Sequence, residues 1–242
     1  MSIYIGTAAW NIPKRCKHEF PEAGTHLERY AGVLNAVEIN SSFYRPHQPK
    51  TYARWSACVP PYFKFSVKLP KEITHKRRFV NVEAELDRFL SEATSLGSKL
   101  GPVLIQLPPS FAYDEATARA FFHLLRAKFA GQLVCEPRHE SWFARQPNEL
   151  LVEFRIARVA ADPPPAEGAQ HPGGWSGLRY FRLHGSPRIY YSEYPDEFIA
   201  QVANAIKNVA VETWCIFDNT ALDFAATDAL KLFRLLKVRP GD

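Results

Sequence analysis

The chain has 242 residues, 46% hydrophobic, 13% aromatic and 23% charged, with a formal charge of +5. This composition excludes a disordered chain, and no apolar run approaches the roughly 20 residues of a membrane span. The start, Met1-Ser2-Ile3-Tyr4, lacks the basic cluster and apolar run of a secretory signal, so a cytoplasmic protein is expected.

From the N-terminus, apolar runs of strand length alternate with longer amphipathic segments. A strand at 3–7 leads to a helix at 27–34, and a strand at 36–40 leads to a helix at 51–58. The next units pair strand 63–68 with helix 82–99 and strand 103–106 with helix 114–128. Leu86, Phe89, Leu90, Ala93 and Leu96 carry the helical spacing of the third helix. Strand 133–136 and helix 148–154 form the fifth unit. The sixth strand, 157–161, is followed by Pro163-Pro164-Pro165, Gly168, Pro172, Gly173 and Gly174. These residues cannot hold a regular helix, so residues 163–177 are expected as an irregular loop over the sheet. Strand 178–184 with helix 196–208, and strand 212–218 with helix 222–236, complete the series.

Eight strands alternating with helices predict one α/β domain over residues 1–242, a TIM-like (β/α)8 barrel with an irregular sixth unit. An open doubly wound sheet is the rival, and eight repeats in this length favour closure. Cys16, Cys58, Cys135 and Cys215 show no close pairing, which speaks against zinc or dithiol motifs. The charge is more informative when located. Residues 64–78 hold six cations (Lys64, Lys68, Lys71, Lys76, Arg77 and Arg78) against one anion, Glu72, which matches the whole excess. Such local basicity suits an anionic partner or a solvated loop.

Strand side chains alternate faces, so the apolar outward set fixes the inward set. Val37 and Ile39 turn Glu38 and Asn40 inward; Phe63, Phe65 and Val67 do the same for Ser66 and Lys68. By the same parity Gln106, Glu136, Arg138, Arg182, His184 and Asp218 point inward, and Asp162 ends the sixth strand. All lie at C-terminal strand ends, where barrel active sites are built. Converging charges there are poor core filling, because each costs several kcal/mol unless paired.

Glu38, Glu136, His184 and Asp218 are the candidate acid–base groups. Lys68, Arg138 and Arg182 are suited to an anion, unless they only neutralise the carboxylates. Glu38, Glu136, Asp162, His184 and Asp218 also include metal-ligand types, but the interleaved cations oppose a metal ion and none is assigned. Trp10, Phe43, Tyr44, Trp142, Tyr190 and Tyr191 follow strand tips and could stack on a sugar or a base, or simply pack the rim. Asn40, His75 and Gln106 complete the candidate substrate contacts. No cofactor is indicated.

Several stretches recur as a set: Gly6-Thr7-Ala8-Ala9-Trp10, residues 37–44 (VEINSSFY), Phe65-Ser66-Val67-Lys68, Ile73-Thr74-His75 and residues 99–103 (KLGPV). Residues 106–111 (QLPPSF), Arg138-His139-Glu140-Ser141-Trp142 and Arg182-Leu183-His184-Gly185 extend the set over nearly the whole chain. In these the sequence resembles the YecE-like proteins, or domain of unknown function 72 family, which implies a TIM-like barrel and no particular activity. Three departures stand out. Ala8 and Ala9 replace the serine and glycine of Gly-Thr-Ser-Gly-Trp; Pro137 replaces phenylalanine in Val-Glu-Phe-Arg; and Asp218-Asn219 stands where an Asn-Asn pair is common.

The leading expectation is an enzyme acting on a phosphorylated or otherwise anionic small molecule, a sugar or nucleotide, by hydrolysis, isomerisation or lyase chemistry. The rivals are a nucleic-acid-binding protein using residues 64–78 and a non-catalytic ligand-binding barrel.

Overall fold

The apolar runs pair as their pattern directs. The computed structural model describes residues 2–207 and 209–238, so Met1 and Asn208, the last residue of an expected helix, lie outside it. The N-terminal part contains β1 (Ile3–Ala8), α1 (His26–Ala31), β2 (Ala36–Ile39), α2 (Ser41–Tyr44), α3 (Pro49–Ala57) and β3 (Lys64–Lys68). The middle contains α4 (Glu83–Ala93), β4 (Leu100–Gln106), α5 (Glu115–Lys128), β5 (Leu133–Glu136), α6 (Arg145–Glu153), β6 (Ile156–Arg158) and β7 (Ala160–Asp162). The remainder is β8 (Gly173–Gly174), β9 (Arg179–Leu183), α7 (Asp196–Lys207), β10 (Thr213–Phe217) and α8 (Phe224–Leu236).

The sheet order is β7-β9-β10-β1-β2-β3-β4-β5-β6-β8, parallel except for the short β6–β8 bridge. The expected sixth strand is split: β6 pairs with β5, and β7 pairs with β9. Val159 joins the halves and donates its N–H to Cys135 O at 2.8 Å. Apart from the short β8 bridge, the two ends of the sheet, β7 and β6, therefore belong to one split strand, and the barrel is nearly closed. Residues 163–177 contain no helix; their only regular element is the Gly173–Gly174 bridge, which sequence periodicity could not reveal.

Local chemistry fixes several boundaries. Thr25 and Glu28 form a reciprocal capping box at the start of α1, and Asp114 caps α5 through Thr117 N–H. The helix expected over 82–99 ends early: α4 stops at Ala93, and a tight turn kinks at Gly97, whose φ is 59°.

Two apolar layers result. Outward residues such as Val37, Phe65, Val67, Ile105, Cys135, Leu183 and Phe217 pack under the helices. Ala36, Leu104, Val134, Ala157, Tyr180, Trp214 and Ile216 fill the barrel interior. Trp214 lies over Gly101, where an added Cβ would meet its ring at 2.5 Å. The lower barrel is thus apolar and filled, leaving polar chemistry to the C-terminal end.

Candidate active site at the barrel mouth

Arg182, on β9, is fully buried and organises the mouth. Its Nε donates to Glu38 Oε2 at 3.0 Å and its Nη2 to Glu38 Oε1 at 2.8 Å. Nη1 donates to Glu136, and Nη2 also reaches Asp218 Oδ2 at 2.9 Å. One planar guanidinium thus holds carboxylates from β2, β5 and the end of β10. Tyr180, two residues earlier on the same face, donates to Glu38 Oε2 at 2.8 Å and lies 2.9 Å from Ser66 Oγ.

His184 lies above Arg182. Its Nε2 is 2.7 Å from Glu136 Oε1 and its Nδ1 is 3.1 Å from Asp218 Oδ2. Ionised carboxylates only accept, so both ring nitrogens donate and the ring is an imidazolium. Burial opposes that charge, but the Glu136 and Asp218 contacts outweigh it and raise the His184 pKa. Burial likewise opposes ionisation of Glu136, yet Arg182, Arg138 and His184 hold it well below the usual carboxylate range. Asp218 is lowered in the same way, against its own desolvation, by Arg182 and His184.

Two further cations face this set. Arg138 Nη2 donates to Glu136 Oε1 at 3.2 Å, and the Arg138 side chain keeps 18% of its surface exposed. Lys68, at the end of β3, is 8% exposed and sits 4.2 Å above the Phe43 ring. Desolvation, helped by Arg182 and only partly offset by Glu38, Glu136 and Asp218, pushes its pKa down to about 8. His75 meets the same Phe43 ring edge-on at 4.8 Å. Burial, with Lys68 and Arg138 nearby, drives it down to about 4, so it is neutral at physiological pH. It belongs to a π-helical turn over Glu72–Lys76, a local form that recurs at functional sites.

Above these groups, Glu136, Arg138, His184, Pro109, Ala161, Ile189 and the three prolines 163–165 enclose a cavity of about 290 Å³. The Pro-rich loop thus forms part of the roof. Gln106 is buried beside Glu136 in the strand register. Asn40 precedes α2, and its Oδ1 is buried with no hydrogen-bond partner. Among the described residues no group of three or more His, Cys, Asp or Glu side chains is arranged to hold a metal ion.

The structure moves four sequence candidates away from the mouth. Trp142 is fully buried outside the barrel ring, its indole N–H donating to Phe111 O at 2.9 Å among Tyr113 and Phe122. Trp10 packs edge-on against Trp55 at 5.1 Å in the helix layer. Tyr44 is 70% exposed and lines a separate surface pocket with Lys71 and Arg88. Asp162 turns to Tyr194, whose hydroxyl donates to its Oδ1 at 2.9 Å. Trp10, Tyr44 and Trp142 lie past the last ladder residue, where alternation no longer dictates direction, whereas Asp162 is still paired with Leu183 and shares the outward parity of Ala160 in β7. Arg182 is inward as expected, but with its N–H groups on three carboxylates it serves as the counter-ion of the site. Phe43, one of the expected rim aromatics, does reach the mouth beneath Lys68, and Tyr180 was the missed contributor, although the inward parity of Arg182 and His184 extends back to it.

The departures from the family pattern are absorbed locally. Pro137 follows the last ladder residue of β5, so its missing N–H interrupts no pairing. Asn219 donates to Ser192 O at 2.9 Å and to Asp228 Oδ2 at 2.8 Å, away from the cluster. Ala9 carries a φ of 78°, a position where glycine costs less.

Residues 4–241 match the family described as "Protein of unknown function DUF72". Among curated relatives, UPF0759 protein YecE of Escherichia coli K12 is 29% identical over 174 residues, 69% of this chain and 62% of that protein. The chain therefore spans less than two thirds of that relative's length. A DUF72 protein of Enterococcus faecalis superposes with a TM-score of 0.82 at 22% identity, covering 98% of this chain and 96% of the other. One from Thermotoga maritima gives 0.80 at 23%, covering 98% and 100%. Looser fold neighbours include a D-psicose 3-epimerase of Clostridium cellulolyticum, with a TM-score of 0.52 at 10% identity, covering 98% and 97%. A 3-keto-L-gulonate-6-phosphate decarboxylase of Vibrio cholerae gives 0.53 at 11%, covering 98% and 98%. Below 25% identity these structures speak to fold alone; the family match over nearly the full chain settles membership, and the chain belongs to the DUF72 family.

Proposed function

We propose that the barrel mouth is the active site of an enzyme acting on a phosphorylated or otherwise anionic small molecule, of sugar or nucleotide type. The observation that carries this reading is the division of labour among the charges. Arg182 takes up three carboxylates from below, while Lys68 and Arg138 stand at the mouth with fewer partners. Cations in a low-dielectric opening attract an anion more strongly than surface cations do. Arg138 supplies the planar fork for two oxygens, and Lys68 a point charge.

Proton movement falls to Glu136, with His184 beside it. The imidazolium holds its two N–H groups on carboxylates at the cavity wall, so the ionised Glu136, which lines the cavity with it, is the group that can take a proton from a bound molecule, with the His184 charge stabilising whichever carboxylate stays ionised. The neighbours that act on keto sugars and a sugar phosphate make an anionic sugar the first class to test.

The test is a thermal-shift titration with inorganic phosphate at fixed ionic strength. Phosphate raises the melting temperature of the wild type, Arg138→Ala loses most of that shift, and Arg77→Ala/Arg78→Ala loses little. No shift in the wild type, or an equal shift in Arg138→Ala, rejects the reading. Nucleic-acid binding would instead give a steep log–log salt dependence. The basic stretch is poorly arranged for it: Lys76 and Arg77 pair with Glu72, Arg77 also with Glu85, and Arg78 donates to Ser110.

A further inference from the structure

Lys68 differs from every other cation in the cluster. Arg182 is bound by three carboxylates, Arg138 by Glu136, and His184 by Glu136 and Asp218. Among the described residues no carboxylate oxygen lies within 4.0 Å of Lys68 Nζ. Its close neighbour is the face of Phe43, and it is almost wholly buried at the C-terminal end of a barrel strand. The Lys68 carbonyl is also fixed, accepting from Ser42 Oγ at 2.7 Å, so the strand end is held. An amine so placed is desolvated and, among the described residues, has no carboxylate within salt-bridge distance.

We propose that Lys68 is a carbonyl-trapping nucleophile: it condenses with the aldehyde or ketone of an open-chain anionic sugar or oxo acid to form a protonated imine. This deepens the anionic-substrate reading above and rests on it for the anionic part of the ligand. Nζ bonds to the carbonyl carbon and the carbon–oxygen bond breaks. The oxygen leaves as water, with both of its protons supplied in net terms by the ammonium, and the iminium keeps one N–H. No oxidant, reductant or metal is required. The iminium then withdraws electrons from the adjacent carbon, where Glu136 is the available proton-transfer group.

The surroundings support the acid–base requirement. The amine must be partly neutral, and burial with Arg182 nearby brings Lys68 down to about 8, against an ordinary value of 10.5. Glu38, Glu136 and Asp218 oppose that shift, and Arg138 and the neutral His75 complete the titratable neighbourhood. At pH 7.5 such an amine is neutral on the order of a hundredfold more often than a surface lysine. A carbonyl compound with a phosphate would place its anionic end toward Arg138 and its carbonyl toward Lys68.

The experiment treats the whole protein with glyceraldehyde 3-phosphate at pH 7.5, reduces any imine with borohydride and maps the modified lysines by mass spectrometry. Lys68 should be labelled about tenfold faster than the exposed lysines. Lys68→Arg keeps the charge but cannot form the imine; it should fold, retain a phosphate-induced thermal shift and lose the label. Labelling no faster at Lys68 than at surface lysines, in protein that still shows the phosphate shift, overturns this proposal and leaves the anion site intact. Fast Lys68 labelling that inorganic phosphate does not slow supports the nucleophile and fails the anion reading instead.

Discussion

Two cationic regions begin within a few residues of one another and behave in opposite ways. Lys68 ends β3 inside the barrel, where it joins Arg138, Arg182 and His184 among three carboxylates. The turn that follows carries Lys76, Arg77 and Arg78 on the outside, and these are exposed. In the barrel, desolvation amplifies every charge, so pairings are multiple and pKa values move. On the turn, water and salt screen the same chemistry. The number of charges is therefore a poor guide to function; their dielectric surroundings decide it.

The sharpest way to break this contrast is Arg182→Met. Removing the shared counter-ion leaves Glu38, Glu136 and Asp218 buried with too little positive charge, and unfolding stability should fall by about 3–5 kcal/mol. Adding Glu38→Gln should recover part of that loss. Chemical denaturation measures both, and a change below about 1 kcal/mol in Arg182→Met would contradict the counter-ion role. On the exposed turn, by contrast, Arg77→Ala should change stability far less than Arg182→Met, since the Arg77 guanidinium and its Glu72 partner are solvated.

The pH dependence sharpens the same comparison. His75 is held near 4 in the folded protein against 6.5 ordinarily, by burial and then by Lys68 and Arg138. Between those values the folded state binds fewer protons than the unfolded chain, so stability falls as pH drops through the window. His75→Gln should flatten that part of the denaturation-midpoint profile. An unchanged slope would mean that burial and the two cations do not hold His75 down. The smallest effect belongs to Ala9→Gly: relief of the left-handed strain at φ 78° should stabilise the protein by about 1 kcal/mol, less the added entropy of the unfolded chain.

Much of this was legible in the sequence, for a definite reason. Inside strands the alternation is strict, so Glu38, Lys68, Glu136, Arg182 and His184 could be turned inward by reading their apolar neighbours. Beyond strand ends the rule lapses. Trp142, Trp10 and Tyr44 follow strand tips in sequence, yet turns send them to the helix layer or to solvent, while Asp162, still in the β7 ladder, takes the outward parity and meets Tyr194. Parity also says nothing of depth: it places Arg182 and Arg138 on one face without revealing that one lies beneath the site and the other at its edge. The break at Val159 was hidden because both halves of the sixth strand read as one apolar run, and only the ladder shows that they pair with different neighbours.

The most direct measurement of the central claim is a crystal structure of the wild type soaked in inorganic phosphate, with Arg138→Ala crystals soaked alongside. The account predicts a phosphate in the mouth of the wild type, held by the Arg138 guanidinium and within reach of Lys68, and its absence in Arg138→Ala. Phosphate confined to the exposed Lys76–Arg78 turn, or no ordered anion at the mouth, would contradict it.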